Sequence, residues 1–371
     1  MDAARERVAW IYDEFPNVAI GMSGGKDSCV VYHLAMEEAK RRNRLPLAVI
    51  WIDQEAEWQA TETYVKSIMT NPDVEPYWMQ IPFKVFNATS HTNDWLQCWE
   101  EGAEWMRPKD PMSYKENIYG TDRFGELFNK ITDYHWAGEP FALIGGVRTE
   151  ESPTRFVALT QQATYKHVTW GKMLNQKMDH YTFYPIYDWT WQDVWKAIHD
   201  HGWLYNEIYN YMYQHGYQIR DMRVSNLHHE TAIKHLLFVS QIENHTWSAL
   251  TKRLDGVNTI KHLDKESMTC PAELPEAFEN WIEYRDYLLD HLIVDEAARE
   301  KMRNHFANMD KRYEGMLNKN NLTRTQITTI IVNDHHFTKC TNWENNFEVV
   351  AWRKWKKHGK LPPVKNQYIH G

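Results

Sequence analysis

The chain has 371 residues, 43% of them apolar and 14% aromatic, with 18 Trp and 20 Tyr. That is length for two domains and apolar surface for a packed core, which excludes a disordered chain. A formal charge of −8 excludes a uniformly basic protein that coats nucleic acid.

No apolar run approaches the ~18 residues of a membrane span, and the first residues, Met1 to Arg7, lack a secretory pattern. A cytoplasmic protein is expected. Cys29, Cys98, Cys270 and Cys340 stand singly, without a Cys-x-x-Cys pair. Their spacing predicts reduced, buried thiols rather than a zinc site, an iron–sulfur site or a disulfide framework.

Residues 1–16 predict an amphipathic helix, with Val8, Ile11, Tyr12 and Phe15 at helical spacing and Pro16 as its stop. Apolar runs at Val18–Met22, Leu47–Ile52, Tyr77–Pro82 and Phe141–Val147 alternate with helix-like segments. This alternation predicts an α/β protein with a parallel sheet and crossovers. In such sheets ligands gather beyond the carboxyl ends of the strands, where Ser23, Asp53 and Arg148 fall.

Residues 84–140 form a long insertion containing Trp95, Trp99, Trp105 and Trp136. A helical cap packed by aromatics is one reading, and a lid over a ligand is the other. From about residue 240 the pattern is helical only, and Pro275–Gly315 carries helical periodicity. The expected division is therefore a first domain at 1–240 and a helical C-terminal domain at 241–371.

Between the first strand and its following helix lies Ser23-Gly24-Gly25-Lys26-Asp27-Ser28. Glycines there let the backbone approach an anion, and the N–H groups of the turn and the helix start point at it. Lys26 adds a mobile positive charge, and Ser23 and Ser28 add hydroxyls. The Gly-x-x-x-x-Gly-Lys-Ser/Thr spacing of the common ATP-binding loop is absent. A second cluster, Gly145-Gly146-Val147-Arg148-Thr149-Glu150-Glu151-Ser152-Pro153-Thr154-Arg155, puts two guanidiniums where they can grip phosphate or sulfate oxygens in pairs. A surface pairing of those arginines with Glu150 and Glu151 is the competing reading. Ser152 before Pro153 fits a helix N-cap.

The loop resembles the pyrophosphate loop of the N-type ATP pyrophosphatases, a superfamily that includes phosphoadenylyl-sulfate (PAPS) reductases. Gly146, Arg148, Ser152 and Arg155 match the reductases' Gly-x-Arg-x-x-Gln-Ser-x-x-Arg motif, with Glu151 in place of the glutamine. Residues 184–195 and 204–217 also follow the family pattern, so the resemblance runs from about 17 to 220. It implies a Rossmann-like, adenine nucleotide α-hydrolase-like domain that binds ATP or a PAPS-like adenylate and works with magnesium. Ser23, Gly24, Gly25, Lys26, Asp27, Ser28, Asp53, Gly146 and Arg148 would hold the nucleotide. Lys26, Asp27, Arg148 and Arg155 would act on it, and Asp27 or Asp53 would hold the metal.

The resemblance breaks after Tyr217. Where the reductases show a cysteine pair, this chain reads Ile219-Arg220-Asp221-Met222-Arg223, and its C-terminus lacks the reductases' cysteine tail. Cys340, in Lys-Cys-Thr-Asn, does not match that tail. Reduction needs a thiolate nucleophile, so a PAPS reductase proper is the last of three readings. The cysteine-poor pattern is most similar to a phage and prophage branch (IbrA-like), whose members are often encoded beside a ParB-like partner.

That branch implies the other two readings. One is an enzyme that cleaves ATP to AMP and pyrophosphate to activate an acceptor in nucleic-acid modification or sulfur transfer. The other is a nucleotide-sensing regulator without turnover. Arg220 and Arg223 are candidates to face the site. His228-His229-Glu230 is a poor metal set, because adjacent helical side chains diverge. The tail from Trp352 to Lys360 interleaves Trp with basic residues and no acid, which suits nucleic-acid phosphates as well as a solvated helix end. The oligomeric state has no signature.

Overall fold

A computed structural model describes residues 1–90, 95–229, 236–257, 269–316, 319–334 and 336–359. Its strands are β1 (Asn17–Gly21), β2 (Leu47–Ile52), β3 (Val74–Met79), β4 (Phe83–Phe86), β5 (Trp95–Cys98), β6 (Phe141–Ile144), β7 (Gly171–Asn175) and β8 (His180–Phe183). The first helices are α1 (Asp2–Glu14), α2 (Lys26–Arg41), α3 (Gln59–Met69), α4 (Phe124–His135), α5 (Pro153–Thr160), α6 (Trp191–His201), α7 (Ile208–Gln214), α8 (Leu236–Ile242) and α9 (Asn244–Arg253). Six strands form one sheet in the order β3-β2-β1-β6-β8-β7, with β4 and β5 paired separately. All pairs in the large sheet are parallel except β7 with β8. This is the Rossmann-like α/β class expected from the sequence.

Burial explains why these segments are strands. Every position of β2 and of β6 is buried, as in strands covered by helices on both faces. On one face α1 contributes Val8, Ile11 and Tyr12, and α2 contributes Val30, Val31 and Leu34. β3 begins and ends three residues before the segment expected from sequence. It contains Pro76, which has no N–H to give, and an edge strand tolerates that loss. The β7–β8 hairpin gives no apolar run: Gly171–Asn175 is half exposed, and His180–Phe183 mixes polar and aromatic residues.

Chain order decides where a ligand can sit. From β1 the chain moves outward to β2 and β3, then returns to place β6 on the other side of β1. The loops leaving β1 and β6 therefore flank the switch point, the place at which open α/β sheets bind ligands.

The insertion at 84–140 is not a helical cap. Its described residues hold most of β4, β5, the one helix α4 and a long irregular stretch between β5 and α4. Two buried acids after β2 pin that stretch. Trp99 donates its indole N–H to the Asp53 carbonyl (2.7 Å) and its backbone N–H to Glu55 (2.7 Å). The Met106 backbone N–H also donates to Glu55 (3.3 Å), and Arg253 pairs with it (2.7 Å). Arg107 places one guanidinium nitrogen 2.7 Å from both Asp53 carboxylate oxygens.

The chain divides into two compact units. One takes in Met1–Val85, Trp95–Leu227 and Leu237–Arg253. In the other, helices Trp281–Leu292, Glu296–Arg312, Lys319–Ile331, Thr338–Glu344 and Phe347–His358 surround a core of Leu289, Met302, Phe306, Leu322, Ile327 and Val349. Among the described residues no helix is long and apolar enough to cross a membrane.

Two consequences of the buried acids are measurable. Asp53→Asn leaves the buried Arg107 guanidinium with only the looser Glu62 pair (3.4 Å) and should cost about 3 kcal/mol in denaturant unfolding. Glu57, buried beside Asp53 and Asn226, is pushed up to about 8, chiefly by burial. The folded protein therefore keeps a proton that the unfolded chain releases above about pH 4.5. Stability should fall as pH rises from there through about 8. Glu57→Gln should flatten that fall in melting curves taken between pH 5 and 9.

Candidate functional site

The first half of the site is a turn that holds its own shape. Gly24 has φ +72°, and a Cβ there would meet Thr61 Cγ2 at 2.5 Å, so both its conformation and its neighbour demand glycine. Asn206 ties this turn down: its amide donates to the Gly24 carbonyl (3.0 Å) and to Thr61 Oγ1 (2.8 Å). The Ser23 hydroxyl donates to Ser28 Oγ (3.0 Å), which in turn donates to the Gly25 carbonyl (2.9 Å). The backbone N–H groups of Ser23 and Gly25 donate to those two hydroxyls (3.3 and 3.4 Å). The N–H of Lys26 donates to Tyr209 Oη (2.9 Å), and the Val224 backbone also bonds that phenol.

Lys26 is only 5% exposed. Its ammonium lies 3.4 Å from the Met222 carbonyl, 3.3 Å from Asp27 Oδ2 and 5.7 Å from the Tyr209 ring centroid. Burial pulls its pKa below the usual lysine value; Asp27 opposes that shift, and Arg148 and Arg223 reinforce it.

The second half comes from the β6 loop. A Cβ on Gly146 would lie 2.6 Å from the Asp27 carbonyl carbon and 2.7 Å from the Ser28 nitrogen. Only glycine allows the two loops to approach so closely. Two residues on, buried Arg148 donates from Nε to Asp27 Oδ1 (2.6 Å) and from Nη1 to Glu150 (2.6 Å) and the Trp189 carbonyl (3.3 Å). Glu150 also accepts the Trp191 N–H at the start of α6 (2.8 Å), so Arg148 links the loop to that helix.

Ser152 caps α5 through the Arg155 N–H, with Pro153 in the first turn. Thr190 and Asp193 make a reciprocal cap on α6. Arg155 is half exposed and pairs with Glu151; burial and the charges of Arg223 and Arg148 lower its pKa. Arg223 itself is exposed, with no hydrogen bond or ion pair among the described residues. Four cations, Lys26, Arg148, Arg155 and Arg223, therefore act on one another here, with Asp27 between them.

Three expectations need correction. Asp53 stands at the end of β2 but is fully buried. Its carboxylate accepts from Arg107, Trp78 (2.9 Å), Gln80 (2.9 Å) and the Glu55 N–H (3.0 Å), which leaves no lone pair for magnesium or a nucleotide. Asp27 faces a cation at each oxygen, so the two carboxylates do not fit a protein-held magnesium site. Among the described residues no three His, Cys, Asp or Glu side chains converge as metal ligands. Arg148 is a tie between loop and helix rather than a guanidinium aimed at ligand.

Burial raises all four thiols. Cys29, Cys98 and Cys340 are buried. Burial pushes Cys29 up to about 12 and Cys340 up to about 11, and it raises Cys98 and Cys270 as well. His228 is buried, pushed down to about 4, and its Nδ1–H donates to the Phe86 carbonyl (2.8 Å). Glu230 and Lys360 lie outside the described residues. Sequence reasoning missed Asn206, Tyr209 and Met222. The first two sit in the segment matched to the family, but nothing local ties them to a loop ~180 residues earlier.

Comparison with known proteins follows the same boundaries. Residues 17–217 match the phosphoadenosine phosphosulfate reductase domain. The chain is 32% identical over 274 residues to the uncharacterized protein YbdN of Escherichia coli (strain K12), a match over 70% of this chain. It spans just under two thirds of that relative's own length, 66%. A shorter stretch of 65 residues, 18% of this chain and 23% of the relative, is 37% identical to adenosine 5'-phosphosulfate reductase of Anoxybacillus flavithermus (strain DSM 21510 / WK1). A phosphoadenylyl-sulfate reductase structure from Candida auris, in complex with phosphate, aligns with 61% of this chain and 89% of its own at 14% identity and a TM-score of 0.31. With its family model covering more than half of the sequence, the chain belongs to the phosphoadenosine phosphosulfate reductase domain family.

Proposed function

We propose that the Ser23–Ser28 loop, with Arg155 and Arg223, binds the phosphates of an adenine nucleotide, and that the protein splits ATP between its α and β phosphates. The observation that carries this reading is the junction of the two loops at the switch point. Gly146 backs onto Asp27 and Ser28 there, and four cations bear on one small region. Family membership supplies the nucleotide class.

In the reaction, a nucleophilic oxygen or sulfur of an acceptor forms a bond to the α-phosphorus. The bond from that phosphorus to the bridging oxygen breaks, and pyrophosphate leaves with the electron pair. Lys26 neutralises the charge that grows on the leaving group. A second displacement on the activated acceptor releases AMP.

Sulfonucleotide reduction is not carried by the structure, since none of the four thiols is poised as a thiolate. A second reading, a regulator that binds nucleotide without turnover and acts through a protein partner, has one observation in its favour. The N–H groups of Ser23, Gly25 and Lys26 already have internal acceptors.

Product analysis with ATP labelled separately at the α and γ phosphates separates the two readings. Turnover should yield labelled AMP and labelled pyrophosphate, and Lys26→Ala should cut the rate about 100-fold or more. Saturable ATP binding with neither product would leave the regulator. Gly146→Ala forces the two loops apart; it should cost about 1–3 kcal/mol in thermal unfolding and weaken ATP binding. Unchanged binding in that variant would place the nucleotide elsewhere.

A further inference from the structure

The last described helix, Phe347–His358, has an inner and an outer side of different chemistry. Inward, Val349 is buried in the core of its unit, Trp352 packs on Tyr313 (5.7 Å between rings), and Arg353 donates to the Glu344 carbonyl (2.7 Å). Outward, Phe347, Ala351, Lys354, Trp355 and His358 follow helical spacing along one stripe. Phe347 is 64% exposed and Trp355 48% exposed, and Lys354, Lys356, Lys357 and His358 are exposed as well.

A helix C-terminus favours cations, which accounts for lysines in the last turn. It does not account for two large aromatic rings set about 12 Å apart on the solvent side. The only acid in the helix is Glu348, in its first turn. In a chain of net charge −8, this is a local concentration of positive charge beside exposed ring faces.

We propose that this stripe binds single-stranded nucleic acid. Lys354, with Lys357 at the flank of the stripe, would contact phosphates, while Lys356 lies over the inward Trp352 ring; Trp355 and Phe347 would each stack a base, the combination that sequence-tolerant single-strand binders use. An anionic lipid surface fits less well: insertion needs a continuous apolar face, and here Lys354 and His358 interrupt it. The proposal does not depend on the nucleotide site.

Fluorescence anisotropy of the full chain with a labelled mixed-sequence 20-nucleotide DNA tests it. Two to three phosphate contacts predict that log K falls with log salt with a slope of about −1.5 to −2. Lys354→Glu with Lys357→Glu should weaken binding at least tenfold and flatten that slope. Trp355→Ala should weaken binding about tenfold with the slope unchanged. All three residues are exposed, so melting temperatures should stay at the wild-type value. Lys26→Ala should bind the oligonucleotide as wild type does, whatever happens to ATP. No binding at 50 mM salt, or variants that bind like wild type, would overturn the proposal. So would a preference for phosphatidylserine vesicles over the oligonucleotide.

Discussion

The contact on which the site depends is that of Gly146 with the backbone of Asp27 and Ser28. It lets the loop leaving β6 close against the start of α2, and so brings Arg148 within 2.6 Å of Asp27. Burying an arginine is expensive unless its charge is answered, and Asp27 and Glu150 together answer it. Glu150 in turn reaches the first turn of α6. One missing Cβ thus allows an ion-pair chain that fixes the positions of two loops and a helix N-terminus. The site is rigid because its parts are locked by charge, not because the loop is short.

That rigidity has a chemical consequence. Asp27 holds two of the four cations, Glu151 holds a third, and Arg223 is left without a counter-charge among the described residues. On the proposed reading, an incoming phosphate chain would meet positive charge that is partly spent. It would gain most at the exposed side, from Arg155 and Arg223, and would have to displace the Met222 carbonyl to reach Lys26. Segment 222–224 covers the lysine through Met222 and bonds Tyr209 through Val224. Where the resemblance places a cysteine pair in the reductases, this chain places a carbonyl on the lysine and an arginine beside it that has no counter-charge among the described residues.

Much of this was legible in the sequence, and the failures have physical reasons. Ser23–Ser28 and Gly146–Arg155 could be read because each is local: a glycine turn, a capped helix, a motif of fixed spacing. The parallel sheet could be read because β2 and β6 are buried on both faces and show as apolar runs. The β7–β8 hairpin could not, since an edge strand half in solvent carries no such run. Asp53 was misread for a related reason. An acid at a strand end looks like a ligand until its partners are known, and Arg107 lies 54 residues away in a stretch without regular structure. Tyr209 and Asn206 support the loop from across the fold, a relation that no spacing encodes.

The family name promises reduction at sulfur, but the anion site does not require it. Cys29 shows the separation well: it lies only three residues beyond Lys26, yet it points into the core and donates to the Leu204 carbonyl (3.0 Å). Burial keeps it a thiol at any ordinary pH. Binding a nucleotide's phosphates calls for glycine geometry and cations, which are retained here, and for N–H groups, which in this loop would first have to leave the Ser23, Ser28 and Tyr209 oxygens. Redox chemistry calls for an accessible thiolate, and burial raises all four thiols of this chain. The two requirements sit on different residues, so one can be lost while the other persists. Chemistry at phosphorus, with the acceptor deciding the biological outcome, is the reading we propose for what remains.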